Sequence, residues 1–159
     1  MPDVSIHSPS NPDALLSAPI PARVSFDGKI ALIVRDDLAV WQKLNVAAFL
    51  ASGIAASAPQ AIGDAYADGA GRRYSPMLGQ PVLVFSADLE GLRGAHRVAL
   101  ERGLTIVPYV AAMFSTGHDA ANRAAFAAGD PDALDWVGIA LHGAKKAVDK
   151  AIKGLILHG

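Results

Sequence analysis

Four short apolar runs constrain this chain more than any other feature: "KIALIVR" (29–35), "PVLVFSA" (81–87), "LTIVPYV" (104–110) and "WVGIAL" (136–141). Each is rich in β-branched residues, and each is followed by a stretch of helical periodicity. A continuous apolar run, without the polar alternation of a half-exposed strand, belongs to a sheet covered on both faces. Strand alternating with helix predicts an α/β domain with helices packed on both sides of one sheet. The expected strands are Lys29–Arg35, Val82–Ser86, Thr105–Tyr109 and Trp136–Leu141. Pro108 is expected at the end of its strand, because an interior proline removes a ladder donor.

The helices differ in what they reveal. From Trp41 to about Ala58, Leu44, Ala47, Ala48, Ala51 and Ala55 form one stripe, while Trp41, Val46, Phe49, Leu50 and Ile54 fill most of the rest. Such a helix is expected to be covered on both sides. Asp88 predicts a cap for a helix over Leu89 to Arg102, with Leu89, Leu92, Ala95 and Val98 or Ala99 inward and Gly103 as its stop. "HDAANRAAFAAG" predicts a short alanine-rich helix ending by Ala128. "GAKKAVDKAIKGL" predicts another, with Lys145, Lys146, Lys150 and Lys153 on its solvated face.

Two segments fit neither pattern. Five of the ten prolines fall in the first 21 residues, so residues 1–22 are expected to be a flexible tail before a single domain over 23–159. The stretch 59–80 carries glycines, two prolines, two tyrosines and an arginine pair, and a loop of that length inside a compact domain is more often functional than decorative.

Composition removes several function classes. A net charge of −1 offers no basic field for a phosphate backbone, so nucleic acid is not an expected partner. Without cysteine there is no thiol catalysis and no thiolate metal site, and no His or carboxylate spacing suggests a metal, so no metal and no cofactor are expected. Neither a membrane span nor a secretory signal is indicated, which makes the cytoplasm the expected location.

"KIALIVRDDL" followed by "QKLNVAAFLASG" resembles the opening of type 2 peptidyl-tRNA hydrolases, where a strand ending in Arg and Asp-Leu leads to a lysine-bearing turn and an alanine-rich helix. "WVGIALHGAKKAVDKAIKGL" is similar to that family's closing strand and helix. The blocks "DLAVWQKLNVAAFL", "YSPMLGQPVLVFSAD" and "AAMFSTGHDAANRAAF" resemble the bacterial domain of unknown function 2000 family, which extends the likeness over most of Lys29 to Leu155. The resemblance implies a three-layer α/β/α sandwich on a four-stranded mixed sheet, type 2 peptidyl-tRNA hydrolase-like, and a homodimer. It also exposes departures. Lys43 falls on the first lysine of the hydrolase turn, Asn45 replaces the second, Ser52 stands at the helix histidine, and no acid follows the third strand until Asp119. Cleavage of peptidyl-tRNA is therefore expected to be absent or very slow.

The candidate site residues lie where open α/β sheets place ligands, at the carboxyl ends of strands and the start of the first helix. Lys43, at a helix N-terminus, either holds something anionic or polar or is a solvated lysine paired with Asp36 or Asp37. Asn45 is a cap or a ligand contact, and Arg35 a ligand contact or an ion pair. In "STGHD", Thr116 and His118 either serve a hydroxyl nucleophile with an imidazole base or cap the helix that follows. Tyr74, Tyr109 and Met113 are candidates to line an apolar pocket with polar tips. Lys43 and His118 are the catalytic candidates. Arg35, Asn45, Tyr74, Tyr109, Met113 and Thr116 are the ligand-binding ones. Two readings follow: a module for a small molecule or peptide, with the Tyr74 loop as lid, or a hydrolase of an ester or amide bond.

Overall fold

All four apolar runs become strands of one sheet, and a fifth strand joins them. In chain order the elements are β1 (Gly28–Arg35), α1 (Val40–Ser57), β2 (Tyr66–Ala67), β3 (Arg73–Tyr74), β4 (Val82–Ala87), α2 (Leu89–Glu101), β5 (Thr105–Val110), α3 (Asp119–Ala128), β6 (Trp136–Ala144), α4 (Lys145–Ala151) and β7 (Ile156–Leu157). Single 3-10 turns follow α1, at Pro59–Ala61, and β5, at Ala111–Ser115. This computed structural model describes residues 24–159; the tail expected over 1–22 lies outside the described residues.

The sheet runs β5-β6-β1-β4-β7, with β1 and β4 parallel and the other neighbours antiparallel. The expected count of four strands is corrected to five. Strand β7 is two exposed residues beyond Gly154, whose φ of 85° turns the chain back to the edge of β4, and so short a run carries no pattern.

Strand alternation sorts the two faces. On one face Val107, Tyr109 and Gly138 lie under α1, with Gly53 against Val107 and the Phe49 ring against Tyr109. On the other, Ala87 meets Gly91 of α2 and Lys29 reaches Asp149 of α4. The central strands β1 and β6 are buried along most of their length, as runs covered from both sides must be.

Helix α1 buries only Val46, Leu50 and Ile54 among its larger apolar residues, spaced four apart on one stripe. Its expected stripe through Leu44 and its expected cover on both sides are therefore corrected: Leu44 is 67% exposed and Trp41 61%. The helix lies over β5, β6 and β1, and among the described residues no helix lies over the same face of β4 and β7. Helix α2 begins as expected, the Asp88 carboxylate accepting from the Gly91 N–H at 2.7 Å, and ends at Gly103 with φ 60°. Pro108 stands inside β5, opposite Ile139, rather than at its end. β5 is an edge strand, where a residue without an N–H is tolerated.

A register shift at Tyr109/Val110 brings Val110 opposite Trp136. The irregularity re-aims Trp136, whose ring sits 4.5 Å from that of His96 on α2 and 6.0 Å from Phe126 on α3. Burial pushes the His96 imidazole below its ordinary pKa. A folded value below the unfolded one means that the unfolded chain binds more protons, so this contribution to stability is present at neutral pH. It is lost progressively as pH falls below about 6.5, the unfolded value, toward the lower folded one. In urea titrations between pH 7.5 and 5.5, His96→Phe should keep the ring contact and flatten the decline; an unchanged slope would place the titration elsewhere.

Candidate functional site

Tyr109 is the residue on which the site is built. Alternation along β5 turns its side chain toward α1, where it is 5% exposed and its hydroxyl donates to Asn45 Oδ1 at 3.0 Å. Asn45 and Phe49 are one helical turn apart on α1, so both face Tyr109. After Val110 the 3-10 turn returns Met113 to the core and sets Phe114 against Tyr109 and Trp41, with ring centroids at 5.3 and 5.8 Å. Burial pushes the Tyr109 phenol up from its ordinary pKa, which keeps it a neutral donor.

A cleft opens between α1 and α3 over this floor. Its apolar part, about 470 Å³, is lined by Phe49, Val107, Pro108, Met113 and Phe126 among others. An adjoining polar part of about 360 Å³ shares Phe49, Tyr109, Met113, Asp119 and Asn122 with it and adds Asn45, Thr116 and His118. The Thr116 hydroxyl donates to the Met113 carbonyl at 2.8 Å and also contacts the Asn122 side-chain amide. His118 Nδ1 accepts from the Ala121 N–H at 3.2 Å and so caps α3. While it caps, the ring proton is on Nε2, so His118 faces the cleft as a donor rather than a base. Asp119 and Arg123 pair with each other across one turn of α3 at the rim.

A family model for a protein of unknown function, DUF2000, matches residues 28–159, which takes in every element of the sheet and both walls of the cleft. The chain belongs to the DUF2000 family. Among solved structures it is similar to the protein of unknown function Atu0240 from Agrobacterium tumefaciens strain C58, with 53% identity and a TM-score of 0.82. That likeness covers 85% of this chain and 100% of the other. No curated protein matches.

In this DUF2000 chain five of the residues singled out from sequence meet in one cleft: Asn45, Tyr109, Met113, Thr116 and His118. Three do not. Lys43, two positions from Asn45, lies on the other flank of α1, lining a groove with Val34, Val40, Leu44, Ala47, Val84 and His158. Arg35 is 15% exposed at its side chain and donates to the Asp37 carboxylate at 2.6 Å, to Asp135 and to the Trp136 carbonyl. Burial works against its charge, yet the two carboxylates outweigh it and hold the guanidinium above its ordinary pKa. The ion-pair reading of Arg35 is the one its surroundings fit.

Tyr74 sits on the β2–β3 hairpin, where its hydroxyl donates to Asp68 at 3.1 Å. Backbone N–H donors from Arg72 and others hold the Asp68 carboxyl below its ordinary range. The hairpin follows the far end of α1, and no residue of it lines the cleft.

Asn122, Arg123 and Phe126 line the cleft and were not singled out from sequence. With Asp119 they make an i, i+3, i+4, i+7 set on α3, a face that the alanines around them leave open to reading. No group of three or more His, Asp or Glu able to hold a metal occurs among the described residues. No helix among them is long and apolar enough to cross a membrane.

Proposed function

We propose that this DUF2000 protein binds a small molecule or a short peptide in the α1–α3 cleft. One observation carries the reading: Trp41 and Phe49, 61% and 51% exposed, flank a cleft whose polar groups gather at one end around the Asn45–Tyr109 pair. Apolar walls with a few placed polar groups are the usual make-up of a ligand pocket. The second reading, hydrolysis of an acyl bond, is less well supported. The Thr116 hydroxyl is engaged by Met113 and the His118 acceptor nitrogen by α3, so neither is free to act as nucleophile or base.

We also read the scaffold as type 2 peptidyl-tRNA hydrolase-like, on the resemblance of its first and last strand-helix units, and the molecule as a cytoplasmic homodimer. What supports the dimer is that Val40, Leu44 and Ile156, more than half exposed each, lie on the α1 side of the sheet, where a second copy would cover them. On that scaffold Asn45 and Ser52 take the places of a lysine and a histidine, and the Ser52 hydroxyl donates to the Phe49 carbonyl on α1 itself.

A fragment screen by thermal shift, with hits mapped on backbone amide resonances, tests the binding reading. Hits should move Asn45, Phe49, Tyr109 and Asn122 together. Hits that map to the groove beside Lys43 and leave the cleft unmoved would overturn it.

A further inference from the structure

We infer that the cleft selects a neutral amide over a carboxylate, an inference that rests on the cleft being a binding site. The charged groups around it are already engaged: Asp119 at the polar end pairs with Arg123 of the apolar part, and His118 Nδ1 is held by the Ala121 N–H as it caps α3. Arg35 and Lys43 are both elsewhere. A carboxylate entering here would give up water without meeting an unpaired cation, and would come up against Asp119.

The uncharged groups are arranged for a different visitor. The Asn45 oxygen is taken by the Tyr109 hydroxyl, and no group among the described residues takes its NH2. One half of the Asn122 carboxamide is held at Thr116, and the other half has no partner there. His118 adds an Nε2–H donor. An amide answers such a set because it brings a carbonyl for the donors and an N–H for whatever acceptor remains. The half-exposed Phe49 and the apolar part of the cleft beyond it take an aromatic or branched apolar group carried by the same molecule.

The isosteric pair 3-phenylpropanamide and 3-phenylpropanoate isolates the amide, since ring and chain are shared. Titrated at pH 7.5 and followed on backbone amide resonances, the amide should bind at least tenfold tighter, both moving residues of the cleft. Asn45→Asp keeps an oxygen for Tyr109 and exchanges the NH2 donor for a second oxygen that shares a negative charge, so it should weaken the amide by about tenfold or more, at least the worth of one hydrogen bond of about 1.4 kcal/mol. It should not improve the propanoate. Equal affinities, or a tighter propanoate, with shifts still in the cleft would overturn the selectivity and leave the binding reading standing. Shifts from neither probe in the cleft would overturn both. The wild-type comparison decides the selectivity even if the variant folds poorly.

Discussion

Replacing Gly138 with alanine is expected to lower the unfolding free energy by about 1–3 kcal/mol, the usual cost of forcing an extra methyl into a closed core. Gly138 lies in β6 directly under α1, where an added Cβ would stand 2.5 Å from Val46 Cγ1, 3.1 Å from Leu50 Cδ1 and 3.2 Å from the Ile33 carbonyl oxygen. Val46 and Leu50 are both fully buried, and a β-branched valine on a helix has little rotameric freedom with which to retreat. The helix itself would have to lift. Because Asn45 and Phe49 ride on that helix, the cleft would widen with it. Val46→Ala alone should also destabilise, by leaving a cavity. Combined, the methyl added at position 138 takes up part of the space of the two methyls removed from Val46, so the double variant should be more stable than the sum of the singles by about 0.5–2 kcal/mol. Urea unfolding of the four proteins measures this, and strict additivity would mean that Val46 is not what closes over Gly138.

The same contact shows what sequence can and cannot convey. The four long strands were legible because a run such as Ile30 to Val34, buried at every residue, has no polar position to confuse its period. Helix α1 was legible as a helix but not as to its buried face. Its apolar residues go almost all the way round, and only the sheet beneath decides that Val46, Leu50 and Ile54 go in while Leu44 stays out. Strand β7 and the shift that turns Trp136 toward His96 depend on neighbours far along the chain, and two residues or one irregular pairing leave no local trace.

The site was half legible for a related reason. Residues at the end of β5 and just after it, namely Tyr109, Met113, Thr116 and His118, could be gathered because strand ends of one direction converge in an α/β sheet. Lys43 and Asn45 were joined by proximity in sequence, whereas two helical positions differ by about 200° around the axis and so face opposite ways. Lys43 accordingly shares its groove with Val84 and His158, and Asn45 shares the cleft with Tyr109. The groups that bear on ligand class, the Asn45 NH2 and the half of the Asn122 amide that Thr116 does not hold, depend on which hydroxyl each meets, and that is a property of the fold alone.

Arg35→Met is expected to cost about 1–3 kcal/mol, charge-assisted hydrogen bonds discounted for partners that remain largely in water. The guanidinium, 15% exposed, joins the end of β1 to the Asp135–Trp136 entry of β6, while the carboxylates of Asp37 and Asp135 are 64% and 57% exposed. Methionine keeps the apolar stem and deletes the charge, leaving the Asp37 and Asp135 carboxylates without the cation they share. Salt should then act in opposite senses on the two proteins. It screens an attraction in the wild type and a repulsion in the variant, so the stability gap should narrow between 0.05 and 1 M sodium chloride, concentrations spanning Debye lengths of roughly 14 to 3 Å. The backbone links this clamp to the cleft, since the Ala111 N–H that begins the turn under Met113 donates to the Asp135 carbonyl at 2.9 Å. A modest loss of cleft affinity, below about threefold, is therefore expected to accompany the loss of stability. A ligand-contacting Arg35 makes the contrary forecast, with stability held within about 0.5 kcal/mol, as for ordinary surface changes, and affinity reduced tenfold or more. Denaturation and titration of the same variant read both quantities, and that second pattern would return Arg35 from the scaffold to the site.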